Sequence, residues 1–384
     1  MSKQLRIMFS AGEPSGDQHV AKVVRCLRQK GNFECYGMGM KQSQAAGMHL
    51  LIDSTSIAVM GITNIIRHYP KIKKTLNTMK KALHEQKPNL LVIVDYPEFN
   101  LRLAAEAQKL GIQVLIYIAP QIWAWRPNRI KKIVKLANRI AVILPFEKEL
   151  YERHGIPTDY VGHPLCEAIP TLSSTASLKA QEEYKISLLP GSRTSEIKHQ
   201  MPILQETIEI ISHRSSKPTS FHLLVAPGIR KPILHDYLTG LSVNLTVTDL
   251  DDNNHQKKYD EMASADIAIS ACGTAVLELA LCQTPTVVIY KLSKPNYLLA
   301  KLLVNIKHFC LPNILANRQL IPELIQNEAN PKRIADETLN LLNDTKRYQA
   351  IQQDLIQVRE QLGTQSAFEN VSRIIIEMIQ DLDR

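Results

Sequence analysis

The sequence predicts an α/β protein built from two doubly wound domains, each a parallel sheet with helices on both faces. Short apolar runs recur along the chain, and helix-length intervals separate them, which is the alternation typical of parallel sheets. Most of these runs are continuously apolar, as expected for strands that are buried on both faces. The predicted strands are 5–11, 32–39, 89–95, 113–119, 139–145, 158–162, 186–190, 221–227, 245–250, 267–271 and 286–290.

The boundary between the two domains is predicted near 165–185, where the chain is polar, rich in Ser and Thr, and without periodicity. We expect one Rossmann-like domain over 1–165 and a second over 186–345, facing each other across a cleft. The remaining stretch, 346–384, is predicted to form C-terminal helices. Two facing domains of this kind suit a nucleotide-sugar transferase, a two-domain dehydrogenase or a periplasmic-type binding protein.

Composition and motifs narrow the choice among these three classes of protein. The chain has 384 residues and six cysteines, none of them in a C-x-x-C pair, which indicates reduced thiols in a cytoplasm. The N-terminus shows no signal-peptide pattern, which disfavours a periplasmic protein, and no apolar run approaches the length of a membrane span. The G-x-G-x-x-G fingerprint of a dehydrogenase fails at 37–42, because the third glycine is absent.

The basic residues are concentrated in the first half of the chain. Residues 1–168 carry 24 Lys and Arg against 13 Asp and Glu, a net charge of +11, whereas the whole chain has +9. No acid lies between Asp53 and Glu85. A basic surface suits an anionic partner such as nucleic acid, phospholipid or a phosphorylated substrate, but no nucleic-acid-binding motif accompanies this one.

The same acid-free segment has apolar residues at helical spacing. Either it is a core-facing helix with a solvated basic face, or it docks on a membrane. We expect Pro70 to divide it into two pieces, and we favour membrane docking. The residues expected to contact lipid are Ile65, Ile66, Ile72 and Leu76.

NLLVIVDYPEFN, residues 89–100, places an acid directly after a buried strand. In open α/β sheets ligands bind beyond the carboxyl ends of the strands, so Asp95 is a candidate catalytic acid or base. The alternative is structural, since Asp95 and Glu98 have the spacing of a helix capping box.

Three strand–turn–helix junctions could bind phosphate or sugar through free backbone amides. SAGEPSGD (10–17) follows the first strand. LLPGSR (188–193) offers the Ser192 hydroxyl and the Arg193 guanidinium to a diphosphate. In ACGTAVLE (271–278), the Gly273 and Thr274 amides could hold phosphate while Glu278 pairs with ribose hydroxyls. An ordinary capped turn is the alternative in each case.

Other polar groups are weaker candidates. The D-x-D at 249–251 has a metal-binding spacing but lies in a polar run, which indicates a solvated loop. His19 could contact substrate, whereas His163 is more often structural. We therefore expect no metal site and no cofactor.

Several of these motifs, taken in order, resemble bacterial lipid-A-disaccharide synthases. The motifs are GEPSGD, VMGI (59–62), VDYPEFN, APQIWAWR (119–126), PFEKE (145–149), VGHPL (161–165), LLPGSR, CGTAVLE and LPNILANRQLIPELIQ (311–326). The resemblance implies a GT-B fold and an inverting, metal-independent glycosyltransferase. Such an enzyme joins UDP-2,3-diacylglucosamine to 2,3-diacylglucosamine 1-phosphate (lipid X) in the lipid A biosynthesis of Gram-negative bacteria.

The resemblance also implies roles for residues. Asp95 would be the general base, supported by Glu98 and Asn100, although the family usually has Asp where this chain has Glu98. Asn313 would join Ser192, Arg193, Gly273, Thr274 and Glu278 in binding UDP. The acceptor side of the cleft, in the N-terminal domain, would include Gly12, Ser15, Gly16, Asp17, Met60, Gly61, Gln121 and Trp123.

The implied partners are the two lipid substrates and the phospholipid of the inner membrane, with the protein bound peripherally from the cytoplasm. Nucleic acid is not expected, and a homodimer is left open. Another UDP-sugar transferase of the same fold is the alternative. The peptidoglycan enzyme that makes lipid II would need G-G-x-G-S loops, which this sequence lacks.

Overall fold

The computed structural model describes residues 5–56, 62–125, 127–170, 182–229, 231–250, 255–293, 297–298, 301, 306–363 and 366–382. For residues 56, 62–68, 231 and 255 it describes the backbone alone. The chain divides into two compact units. Unit 1 comprises Met1–Glu167 and Thr364–Arg384, and unit 2 comprises Ala168–Gly363.

Unit 1 is built on a seven-stranded sheet in which every pair of neighbouring strands is parallel. Its strands are Leu5–Ala11 (β1), Phe33–Gly39 (β2), His49–Asp53 (β3), Leu90–Val94 (β4), Gln113–Tyr117 (β5), Arg139–Val142 (β6) and Thr158–Tyr160 (β7). The order is β3-β2-β1-β4-β5-β6-β7, so the direction of strand addition reverses between β1 and β4. Such a switch point opens a crevice beyond the carboxyl ends of the two strands.

The helices of the first 168 residues connect these strands, except for the last helix, which follows β7. They are Pro14–Lys30 (α1), Lys41–Ala45 (α2), Ile62–Gln86 (α3), Pro97–Lys109 (α4), Ile130–Leu136 (α5), Pro145–Glu152 (α6) and Pro164–Ala168 (α7). Helices α3, α4, α5 and α6 supply one core cluster with the sheet, and α1 supplies a second cluster. The strands are therefore covered on both faces, which explains why they are continuously apolar.

Unit 2 repeats this plan with six parallel strands. They are Tyr184–Leu189 (β8), Thr219–Val225 (β9), Asn244–Asp249 (β10), Ile267–Ala271 (β11), Thr286–Tyr290 (β12) and Glu323–Ile325 (β13). Its helices are Thr194–Arg214 (α8), Lys231–Leu238 (α9), His255–Ala263 (α10), Thr274–Leu281 (α11), Leu311–Ala316 (α12), Pro331–Asn343 (α13) and Thr345–Gln361 (α14). The order β10-β9-β8-β11-β12-β13 places the switch point between β8 and β11.

The last helix, Ala367–Gln380 (α15), packs in unit 1 beside α1, although α14 belongs to unit 2. Its apolar face joins the α1 side of the core through Phe368, Val371, Ile374, Ile375, Met378 and Ile379. The Arg139 guanidinium of β6 also pairs with Glu377 at 2.9 Å. The C-terminal residues therefore complete one face of the unit 1 sheet.

All eleven predicted strands are present, and together they confirm the α/β fold class with two parallel sheets and C-terminal helices. The prediction missed β3 and β13, which are short edge strands. An edge strand is covered less than a central one, so its sequence carries no continuous apolar run. In His49–Asp53 no residue is fully buried, and both end residues are exposed.

Helix α3 differs from the prediction in two respects. Pro70 lies inside one continuous helix, Ile62–Gln86, so the expected division into two pieces is wrong. Leu76 is only 8% exposed and belongs to the core cluster, and Ile72 packs half-buried against that cluster. Leu76 is therefore a core residue and not a lipid contact, because its side chain faces the sheet. The side chains of Ile65 and Ile66 lie outside the described residues.

Removing the Ile375 side chain tests the role of α15 in the core. Ile375 is fully buried, so Ile375→Ala should lower the free energy of unfolding by about 2–5 kcal/mol through lost burial and a cavity. The matched control is Ile376→Ala, since Ile376 is only partly buried on the same helix. Urea unfolding followed by circular dichroism measures both. Equal losses for the two variants would contradict the packing of α15.

Candidate active site

The Asp95 turn connects β4 to α4 at the switch point of unit 1. Asp95 and Tyr96 both have left-handed backbone conformations, with φ of 48° and 47°. Two consecutive residues other than glycine in this region store backbone strain, which is most often found at functional sites. Helix α4 then begins at Pro97, so the acid lies between the strand end and the helix start.

The Asn100 side chain holds the Asp95 turn through hydrogen bonds. Its side chain is completely buried, and its Nδ2 donates to the backbone oxygens of Asp95 at 2.7 Å, Val94 at 3.1 Å and Ser10 at 3.2 Å. Its Oδ1 accepts from the Ser10 hydroxyl at 2.6 Å. One amide side chain thus ties the carboxyl end of β1 to the carboxyl end of β4.

The loop after β1 packs directly against this turn. A Cβ at Gly12 would lie 2.4 Å from the Tyr96 ring, so no larger residue fits while the ring keeps this position. Gly16 is buried close to Val94, and Ser15 is exposed on the first turn of α1. Gly12, Gly16 and Asp95 therefore meet at one edge of the sheet, as the switch point requires.

Burial raises the pKa of the Asp95 carboxyl above its ordinary value, and a hydrogen bond from the Tyr96 amide opposes this effect. A carboxylate whose pKa is raised takes up a proton more readily at neutral pH, which suits a general base. The capping-box alternative is not realised. The N-cap of α4 is Tyr96, and no N-cap side chain bonds to the helix amides.

Glu98 lies exposed in the first turn of α4, and its carboxylate pairs with the Arg129 guanidinium. That guanidinium also lies over the Trp125 ring, 5.7 Å from its centroid. Glu98 is therefore linked to the segment that follows β5. This link could not be predicted from the spacing of Asp95 and Glu98.

Asp17, a predicted acceptor residue, is buried inside unit 1. The residue is 1% exposed, and its carboxylate accepts from the amides of Met40 at 2.7 Å and Gln42 at 3.0 Å, and from the Ser43 hydroxyl. Asp17 therefore caps the start of α2, and its contact with the acceptor stays a prediction.

The structure describes two of the four remaining predicted acceptor residues. Gln121 is exposed and Trp123 is half-buried, both in the segment after β5. The Trp123 indole donates from Nε1 to Glu147 at 3.0 Å. Met60 and Gly61 lie outside the described residues.

The candidate histidines His19 and His163 both belong to unit 1. His19 is half-buried and stacks on Phe368 of α15, with ring centroids 6.0 Å apart, and desolvation lowers its pKa to about 4. His163 is buried, and desolvation lowers its pKa to about 4 as well. Both rings are therefore neutral near pH 7.

In unit 2, the first phosphate-binding candidate lies between β8 and α8. Ser192 and Arg193 are exposed, and their amides donate to the Glu196 carboxylate at 2.9 and 3.2 Å. The Arg193 guanidinium also reaches Glu196, at 3.2 Å. The guanidinium is 60% exposed, so it can approach an anionic ligand at this helix start.

The second candidate lies between β11 and α11, across the switch point from the first. Gly273 and Thr274 are exposed at the start of α11. Glu278 is buried one turn further on, where its carboxylate accepts from the Lys258 ammonium at 2.6 Å. A ribose that bound Glu278 would have to share the carboxylate with Lys258.

Asn313 is completely buried, and its Oδ1 accepts from the amides of Leu320 at 2.8 Å and Ile321 at 3.0 Å. Its Nδ2 donates to the Ile321 carbonyl and to Glu323. These bonds fix the segment between α12 and β13 and engage both polar atoms of the side chain, and its contact with UDP stays a prediction. Asn317 ends α12 with a left-handed φ of 52°, a conformation that Asn tolerates.

Sequence reasoning missed Ser10, Tyr96, Arg129, Glu147 and Glu196 as parts of these sites. Tyr96 and Glu147 lie within motifs that carry the family resemblance, which was the available signal. In the described part of the chain there is no group of three metal-binding side chains, and no helix there is long and apolar enough to cross a membrane.

The fold matches that of nucleotide-sugar enzymes of the GT-B class. The chain superposes on the calicheamicin glycosyltransferase CalG4 with a TM-score of 0.63 at 13% identity, covering 100% of both chains. MurG from Acinetobacter baumannii gives a TM-score of 0.57 at 15% identity, covering 98% of this chain and 99% of that one. UDP-GlcNAc 2-epimerase from Neisseria meningitidis gives 0.59 at 13% identity, with 99% and 100% covered.

Within this class, the sequence decides the family. The family model for lipid-A-disaccharide synthetase matches residues 7–378. Lipid-A-disaccharide synthase of Nitrosococcus oceani is 39% identical over 381 residues, covering 97% of this chain and 96% of the relative. Lipid-A-disaccharide synthase 1 of Legionella pneumophila (strain Philadelphia 1) is 38% identical over 374 residues, with 96% of each covered. The chain belongs to the lipid-A-disaccharide synthetase family.

Proposed function

We propose that the protein transfers 2,3-diacylglucosamine from its UDP conjugate to the 6-hydroxyl of lipid X, with Asp95 as the general base. Membership of the family supports the overall reaction. The observation that supports the role of Asp95 is its place in a strained, half-buried turn at the switch point of unit 1. The raised pKa of its carboxyl agrees with that role.

The acceptor step is a displacement at the anomeric carbon of the donor sugar. The lipid X hydroxyl gives its proton to the Asp95 carboxylate as its oxygen forms the new glycosidic bond. The bond between the anomeric carbon and the phosphate oxygen breaks, and UDP leaves with the electron pair. Attack from the face opposite the leaving group inverts the anomeric configuration.

Charge develops on the β-phosphate as UDP departs. Ser192, Arg193, Gly273 and Thr274 lie exposed at the two helix starts that flank the switch point of unit 2. The Arg193 guanidinium and the Gly273 and Thr274 amides are proposed to stabilise this charge, because they are positioned before the reaction. Glu278, held by Lys258, is proposed to bind the ribose hydroxyls.

Replacing the base should stop transfer without removing the donor. Asp95→Ala should lower kcat by about 10²- to 10⁴-fold, because the acceptor hydroxyl loses its proposed general base. UDP affinity should stay unchanged, since the proposed donor residues belong to unit 2. Transfer is measured with radiolabelled donor and lipid X, and UDP binding by calorimetry.

Asp236→Asn is the control for this experiment, because Asp236 is exposed on α9 of unit 2. It should transfer at the wild-type rate. An Asp95→Ala protein with wild-type kcat would remove Asp95 from the mechanism. A parallel loss of UDP binding would mean that the substitution disturbs more than the base.

We also propose that unit 1 docks on anionic phospholipid at the cytoplasmic face of the inner membrane, through the layer formed by α3, α4 and α5. These helices are neighbours on one face of the sheet. The layer exposes many basic side chains: Lys71, Lys73, Lys74, Lys81, Arg102, Lys109, Lys131, Lys132 and Lys135. Leu76 is buried, so its side chain does not insert into lipid. We therefore propose that electrostatic attraction contributes most of the binding to the membrane.

Charge reversal on α3 tests this docking surface. The triple variant Lys73→Glu, Lys74→Glu, Lys81→Glu should lose binding to anionic vesicles, since each lysine near the surface contributes about 1 kcal/mol. Co-sedimentation with vesicles of mixed anionic and neutral phospholipid measures the bound fraction. High salt should weaken wild-type binding by screening the same charges.

Lys198→Glu, Lys332→Glu, Lys346→Glu is the matched control, because these three lysines are exposed on unit 2 and the charge change is identical. This variant should still bind the vesicles. Equal losses in the two triple variants would show that net charge, and not this layer, controls binding.

A further inference from the structure

Glu147 is a buried acid in the first turn of α6, the helix that follows β6. Glu147 is 2% exposed, and its carboxylate accepts a hydrogen bond from the Trp123 Nε1–H at 3.0 Å. The Trp123 ring also packs edge-on against Phe146, with centroids 5.1 Å apart. The Tyr151 hydroxyl, one turn further along α6, donates to the Pro120 carbonyl at 3.0 Å. Helix α6 therefore fixes the segment 120–125 at two points.

This segment follows β5, and an acid follows each of the two strands that flank β5 in the sheet. Asp95 follows β4, the segment follows β5, and Glu147 follows β6, which are neighbours in the sheet. The carboxyl ends of parallel strands meet at one edge, so the three features share that edge. On its other side the segment is linked to α4, through the Arg129 guanidinium that contacts both Glu98 and Trp125.

The charge state of Glu147 is open to change near neutral pH. Burial raises the pKa of its carboxyl to about 7, against the opposing hydrogen bonds from Trp123 and the Leu144 amide. Among the described residues no cation forms an ion pair with it. Tyr151 on the same helix interacts electrostatically with the Glu147 carboxylate and with the Arg129 guanidinium, and Arg129 is paired with Glu98. A glutamine would accept the same hydrogen bond without a charge to bury, so packing alone does not require an acid here.

We propose that Glu147 is a positioning residue for the acceptor: through its hydrogen bond it orients the Trp123 indole, and with it the segment 120–125, beside the Asp95 turn. The inference rests on the proposed function, since it takes the Trp123 ring as part of the surface that meets the acceptor sugar. The Trp123 hydrogen bond strengthens when the carboxyl ionises, because charged acceptors form the stronger bonds. The hold on the indole should therefore tighten as the pH rises through neutrality.

Tryptophan fluorescence tests, without any substrate, whether Glu147 controls the Trp123 indole. The chain has two tryptophans, and Trp125→Phe leaves Trp123 as the sole emitter. Its emission should change with a midpoint near pH 7, the value to which burial raises the pKa of Glu147. Adding Glu147→Gln should remove that transition. Adding Glu149→Gln should leave it, because Glu149 is exposed on the same helix.

Steady-state kinetics tests whether the Trp123 indole positions the acceptor. In the otherwise wild-type chain, Glu147→Leu should raise the KM for lipid X by about tenfold, the scale of a small misplacement, with the KM for the UDP donor unchanged. Glu147→Gln should keep the acceptor KM low and abolish its change between pH 6 and 8. If Glu147→Leu does not fold, the Gln variant alone still tests the pH dependence of the acceptor KM.

Three outcomes would overturn the proposal. Emission that does not titrate in Trp125→Phe, or a transition that survives Glu147→Gln, would show that Glu147 does not control the indole. A titrating indole with an unchanged acceptor KM in Glu147→Leu would show that the indole does not position the acceptor. A titrating indole in a wild-type chain that transfers no sugar to lipid X would instead contradict the proposed function.

Discussion

The hydrogen bonds of Asn100 are the interaction on which the active-site geometry depends. One buried amide joins Ser10 at the end of β1 to Val94 and Asp95 at the end of β4. The left-handed Asp95 turn is strained, and such strain persists only where the surroundings hold it in place. The Tyr96 ring, packed against Gly12, is the second restraint. Removing either restraint should let the Asp95 turn relax.

The fold and the site follow from one topological rule used twice. In unit 1 the loops after β1 and β4 diverge at the switch point, and in unit 2 the loops after β8 and β11 do the same. Asp95 and the three predicted strand–turn–helix junctions lie in these four loops, and the alternation of strands and helices in the sequence indicated where the loops fall. The edge strands β3 and β13 were not predicted. In β3 no residue is fully buried, and β13 has three residues.

The sequence could not separate polar residues that bind ligands from polar residues that hold loops. Asp17 and Asn313 lie in family motifs, yet both are buried and bonded to backbone amides. The apolar spacing of α3 is equally compatible with a core face and a lipid face, and only the packing of Leu76 decides between them. The partners of Glu98 and Glu147 come from other loops, at sequence separations that no local pattern encodes.

The most direct test of this account is the kcat of Asn100→Ala at saturating donor and lipid X, at a temperature where the variant is folded. Each buried group that it leaves unpaired should cost about 1–3 kcal/mol, so the Asp95 turn should relax. The account predicts that kcat falls at least about tenfold, as expected when a reacting group is misplaced, while UDP binding to unit 2 is unchanged. Wild-type kcat in a folded Asn100→Ala protein would contradict the claim that this amide holds the catalytic base.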